Sequence, residues 1–159
     1  ASQVTSLCAS SAKVYAITSR GDMRSVADSD PVGDASEFMC GPSSMIAGLT
    51  FHSNYCGVFA SCSEDQIRLW SPENCRELLR IELMQGSELD FARSNCVEFM
   101  PDGKSIVSGW TDGKIRCFTP QSGKLLWILT DAHKPGSKSE GGVLCVQAAQ
   151  DGQNIVSGG

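Results

Sequence analysis

The chain has 159 residues, of which 41% are apolar and 19% charged, and a formal net charge of −5. That composition is globular rather than disordered, and its acidity disfavours nucleic acid or anionic lipid as partners, since both need a basic footprint. No run approaches the roughly 18 consecutive apolar residues of a membrane span, so no membrane is expected either.

In chain order, residues 4–7, 47–51, 96–99 and 144–148 each read as a short strand. They close on Leu7, Phe51, Phe99 and Ala148, which stand 44, 48 and 49 residues apart. Seven residues after each closure a second strand begins, at Val14, Val58, Ile106 and Ile155. In the loops between, Asp102-Gly103 and Asp151-Gly152 supply the positive φ that a tight connection requires. A third strand follows at 23–26, 67–70 and 115–118. Asp112-Gly113 predicts a two-residue type I′ hairpin before the last of these, with both central residues at positive φ. Counting at an interval of 48 then sets Trp110 level with Cys62. A fourth strand is expected in two copies, at 76–81 and 124–129, because six-residue runs between polar breakers are too short for a helix held by tertiary packing.

Each unit is thus a four-stranded antiparallel meander whose middle strands are apolar on both faces. Such a sheet must be sandwiched between two others, and radial repetition achieves this without long open edges. The expected fold is an all-β propeller of about three and a half blades. The units fall at roughly 3–40, 45–81, 92–129 and a truncated 142–159, which implies a piece of a longer propeller, and the start on Ala1 implies residues upstream. The linkers 27–44, 82–92 and 131–142 are the longest loops and the expected carriers of specificity.

The stretch from Phe59 to Trp70, with Ser61, Asp65, Ile67 and Leu69 between, resembles the signature of WD-repeat (tryptophan-aspartate) propellers. Residues 76–81, 99–108 and 110–116, with Ala132-His133, are more closely similar to the cilia- and flagella-associated WD-repeat proteins of the doublet-microtubule inner junction. The resemblance covers about 57–159 and is faint before Ser44. It implies that each blade is knitted by a hydrogen-bonded set: a Ser on the second strand, a Trp on the third, an Asp in the turn between them and a His before the first. Ser61, Asp65 and Trp70 match in the second copy, with a turn one residue shorter than the common pattern. His133 and Ser157 match in the fourth. In the third copy Phe118 replaces the Trp and cannot donate a hydrogen bond. The resemblance further implies a structural, non-enzymatic scaffold of the ciliary or flagellar axoneme, with tubulin and other axonemal proteins as partners.

Other chemistry is weak. Gly103-Lys104-Ser105 lacks the earlier glycine and the following helix of a phosphate loop, and no Gly-x-Ser-x-Gly elbow gives a serine nucleophile context. The first strands offer Thr5, Thr50, Glu98 and Gln147, which form no coherent catalytic set. Neither a small-molecule substrate nor a cofactor is expected. The eight cysteines lack the spacing of a zinc knuckle, and only His52 and His133 are there to help them. Cys62, Cys96, Cys117 and Cys145 fall in apolar strands as small hydrophobes. With no Asn-x-Ser/Thr acceptor and no charged-then-apolar leader, this points to the reducing cytoplasm. Two features remain for partner binding. Trp110 is either ordinary packing or an interface anchor. Arg76, Arg80 and Lys124 on the fourth strands, with Lys134 and Lys138 in the following loop, form either a solvated edge or a basic rim for an acidic partner such as tubulin. A WD-repeat adaptor in another cytoplasmic complex, such as ubiquitin-ligase recruitment, is the competing reading, and a propeller enzyme a remote one.

Overall fold

The computed structural model describes residues 3–9, 13–18, 22–27, 36–40, 46–52, 55–64, 66–74, 76–83, 92–135 and 141–159. These form fourteen strands in four antiparallel sheets. The first sheet comprises β1 (Val4–Ala9), β2 (Lys13–Thr18), β3 (Asp22–Ala27) and β4 (Ser36–Cys40). The second comprises β5 (Ile46–His52), β6 (Tyr55–Ser63), β7 (Gln66–Ser71) and β8 (Arg76–Glu82). The third comprises β9 (Ser94–Phe99), β10 (Ile106–Trp110), β11 (Ile115–Phe118) and β12 (Leu125–Leu129), and the fourth pairs β13 (Cys145–Ala148) with β14 (Ile155–Gly158). Neighbours in each sheet are neighbours in sequence, so every connection is a simple hairpin.

The sheets are disposed as propeller blades. Their first strands adjoin one another, β1 against β5, β5 against β9 and β9 against β13, while the last strands lie outermost. The apolar faces meet between blades in three clusters. Ile17, Met23, Phe59 and Trp70 fill the space between the first and second sheets. Ala60, Ile67, Ile81, Val97, Ile106 and Trp110 fill that between the second and third. Val107, Ile115, Val143 and Val146 fill that between the third and fourth. Middle strands are therefore buried on both faces, as β10 and β11 are throughout their length.

The loops repeat as the sheets do. Gly103 N–H donates to the Met100 carbonyl at 2.8 Å, and Gly152 N–H to Ala149 at 3.0 Å, each glycine at φ +66°. The turn after β10 departs from expectation. Gly113 alone has positive φ, at +78°; its N–H donates to the Trp110 carbonyl, and Trp110 N–H to that of Lys114, both at 3.1 Å. This is a three-residue loop closing on a left-handed glycine rather than a type I′ pair. A side chain at Gly113 would also collide with the His133 carbonyl, so the position is closed to other residues twice over.

The shorter turn of the second blade shifts the alignment of the copies. Ser61 pairs with Arg68 and Ser108 with Arg116, so the interval is 47 residues before the turn and 48 after it. Trp110 therefore corresponds to Ser63, not Cys62. The first blade also holds a fourth strand, β4, inside the stretch 27–44 that reads as a linker. Segments 28–35, 41–44, 84–91 and 136–140 of the expected specificity loops lie outside the described residues.

Candidate functional site

Two regions carry the residues singled out above: the hydrogen-bonded centre of each blade and the outer rim. At the centre of the second blade, Trp70 donates its indole N–H to Ser61 Oγ at 2.8 Å, with both residues buried. Asp65 lies outside the described residues. The hydroxyl satisfies a polar group that would otherwise be buried unpaired, and the ring stacks near Phe59 with centroids 6.4 Å apart.

The third blade keeps this bond by another route. Phe118 occupies the position of Trp70, but the Trp110 indole reaches back along its own strand and donates to Ser108 Oγ at 2.7 Å. At 1% exposure Trp110 offers no surface to a partner in this chain; it is packed in the core between blades. The Arg116 guanidinium lies 5.1 Å from its ring centroid. Arg116 in turn makes a two-pronged ion pair with Asp112, at 3.1 and 2.6 Å, and its side chain is only 3% exposed. The equivalent Arg68 reaches outward instead, to Glu77 at 3.1 Å and Gln66 at 2.9 and 2.7 Å. The partner changes because β12 has Leu125 where β8 has Glu77.

In the fourth sheet, His133 Nε2 lies 3.0 Å from Ser157 Oγ, and its backbone N–H donates to Gly113 at 3.1 Å, so this residue ties the third blade to the fourth. Further ties run along the same seam. Val143 N–H donates to Trp110 at 2.9 Å, and Asn95 Nδ2 to Val143 at 2.9 Å. Apart from the His133–Ser157 pair, these ties have no sequence signature, since backbone carbonyls accept from any neighbour.

On the innermost strands, Thr50 Oγ1 donates to Glu98 Oε2 at 3.1 Å, joining the second blade to the third. Burial raises the Glu98 carboxyl above its ordinary value, and the Thr50 bond offsets part of that rise. Burial also pushes the Cys62 thiol up to about 12 and Cys96 to about 11, which keeps both as unreactive packing groups; Cys145 is exposed. Among the described residues, no three His, Cys, Asp or Glu side chains are grouped to hold a metal ion.

The outer rim is less basic than its arginines suggest. Arg80 is paired with Glu77 at 2.9 Å and Glu82 at 3.7 Å, so β8 carries two acids against Arg76 and Arg80. These carboxylates hold the Arg80 guanidinium protonated above its ordinary value, chiefly through the hydrogen bond to Glu77. Arg76, Lys124 and Lys134 are exposed, and Lys138 lies outside the described residues.

The family model of the WD domain, G-beta repeat, matches residues 91–119. The chain carries a WD repeat. This repeat runs through β9, β10 and β11, and so contains Ser108, Trp110 and the Asp112–Arg116 pair. The chain is also 46% identical over 89 residues to Cilia- and flagella-associated protein 52 of Chlamydomonas reinhardtii, covering 56% of this chain and 14% of that protein. It is 37% identical over 102 residues to the protein of the same name from Homo sapiens, covering 64% of this chain and again 14% of the relative. A third relative, Coronin-7 of Rattus norvegicus, is 32% identical over 121 residues, or 76% of this chain and 12% of that protein. The matched part is thus a small share of each relative.

Proposed function

We propose that this chain is part of a non-catalytic interaction scaffold of the cilium or flagellum, a WD-repeat propeller seated within axonemal doublet microtubules and contacting tubulin and neighbouring junction proteins. The observation that carries this reading is the 46% identity with an algal protein whose name associates it with cilia and flagella, supported by relatives of the same name in mammals at 36% to 39%. The structure supports it in kind. Stacked blades joined by backbone and side-chain ties make a stiff body, and stiffness lets rims and loops meet partners at fixed angles. Modest contacts repeated along a filament then add to firm attachment.

Tubulin docking by the rim is the finer part of the proposal. Because Arg80 is already ion-paired, Arg76, Lys124 and Lys134 are the groups with charge to offer. A tagged full-length protein in ciliated cells is expected along the axoneme and to remain after detergent extraction. A diffuse cytoplasmic signal, or recovery with an unrelated complex, would favour the adaptor reading instead. In microtubule co-sedimentation, charge reversal at Arg76 and Lys124 should weaken binding more than reversal at Arg80; equal binding by all three variants would remove rim docking.

A further inference from the structure

On β12, Leu125 and Ile128 are 41% and 43% exposed, although both are large and apolar. β12 is the outermost strand of its sheet, bonded to β11 on one side and to no described strand on the other. The second blade shows the contrast. Residues 77–81 of β8 and 125–129 of β12 hold the same register positions, each with one irregularity at the corresponding place. In β8, Glu77 and Arg80 occupy that edge and pair with each other, and charges on an edge strand deter pairing with another chain. In β12 those two positions are Leu125 and Ile128. They lie on the face that looks toward the second sheet, since the opposite face of β8, with Leu79 and Ile81, is the one that meets Gly123 of the third. The strands of the second sheet are in place, yet Leu125 and Ile128 stay exposed.

The charges stand instead at the two ends. Lys124 precedes the strand and Asp131 follows it, both exposed and each outside the ion pairs described above. Two copies laid edge to edge and antiparallel would bring Lys124 of one copy beside Asp131 of the other, twice over, as a two-fold axis requires. A parallel pairing would set like charges together.

We propose that β12 is a self-association edge, along which a second copy of this chain pairs antiparallel through Leu125–Leu129. Two four-stranded blades then become one continuous sheet, and the Lys124 and Asp131 charges fix its direction. The occupant is a second copy because the edge is complementary to itself in charge and its strand, Leu125–Leu129, is apolar throughout.

Sedimentation velocity of the full chain across the micromolar range tests this. A concentration-dependent dimer is expected, with Ile128→Lys shifting it to monomer. Lys124→Glu and Asp131→Lys are each expected to weaken the dimer about tenfold, and an equimolar mixture of the two to restore it, because basic ends then meet acidic ends. All three positions are exposed, and an unchanged circular dichroism spectrum shows that the fold persists. A chain that stays monomeric throughout overturns the proposal. So does a dimer indifferent to Ile128→Lys, or a mixture no tighter than its components.

Discussion

Trp110 and Ser108, two residues apart on one strand, are joined by an indole N–H to hydroxyl bond of 2.7 Å, and the same serine position in the preceding blade takes its indole from Trp70 on the next strand at 2.8 Å. The serine keeps its partner while the tryptophan has moved. Trp110→Phe should keep most of the packing but leave the Ser108 hydroxyl short of a donor, at a cost of about 1–2 kcal/mol in urea unfolding with an unchanged slope. Trp110→Ala should cost about 3–5 kcal/mol, because a buried aromatic leaves a cavity. Equal losses for the two variants would mean that the hydrogen bond contributes everything and the ring nothing, contrary to this account.

Arg116 is nearly buried and Asp112 is its acidic partner. Removing one partner of a buried pair leaves an uncompensated charge, whereas removing both can be nearly neutral. Asp112→Ala is therefore expected to destabilise by about 3 kcal/mol, and Arg116→Met combined with Asp112→Ala by clearly less than that single change. A double-mutant cycle reads the coupling, and additive losses would show that the pair is not energetically joined. The equivalent pair of Arg68 and Glu77 is nearer solvent, so Glu77→Ala should cost no more than about 1 kcal/mol.

The contrast between these two arginines shows what the sequence discloses and what it hides. Strand order was legible, because alternation and turn chemistry are local signals, and the Ser61–Trp70 pair is what the WD-repeat resemblance implies. The hydrogen-bonding role of Trp110 was not, since it depends on the third blade's turn being one residue longer than the second's. Counting at a fixed interval of 48 placed Trp110 opposite the wrong residue and left Phe118 as an apparent loss. β4 was hidden because Ser36 to Cys40 sit among loop-forming residues, and only pairing with β3 identifies them as a strand. The arginines of the rim do not make it basic by themselves, because Glu77 and Glu82 stand on the same strand.

Glu98 gives a pH dependence of definite sign. Its carboxyl is raised above the ordinary 4.5 by burial, so between that value and its raised value the folded state binds more proton than the unfolded one. Stability from this group therefore falls as pH rises through the window, and the penalty is complete above it. Glu98→Gln keeps an acceptor for the Thr50 hydroxyl and removes the titration. The variant should be the more stable protein at neutral pH, with the difference shrinking as the pH is lowered through the window. A constant difference between variant and parent across acid and neutral pH would contradict the assignment.

His133 links the third blade to the fourth through two different groups, its ring to Ser157 and its backbone N–H to Gly113. Substituting the ring therefore severs only the side-chain link and leaves the backbone bond to hold the loop. His133→Ala and Ser157→Ala should each cost about 1 kcal/mol, and the double variant little more than either alone, because both remove one bond. The effect should also be local. β13 and β14 pair only with each other among the described strands, so amide exchange there is expected to speed up while β10 and β11, buried on both faces, remain protected. Uniform acceleration across all four strands would instead mean that the His133–Ser157 bond supports the whole body of blades rather than its last seam.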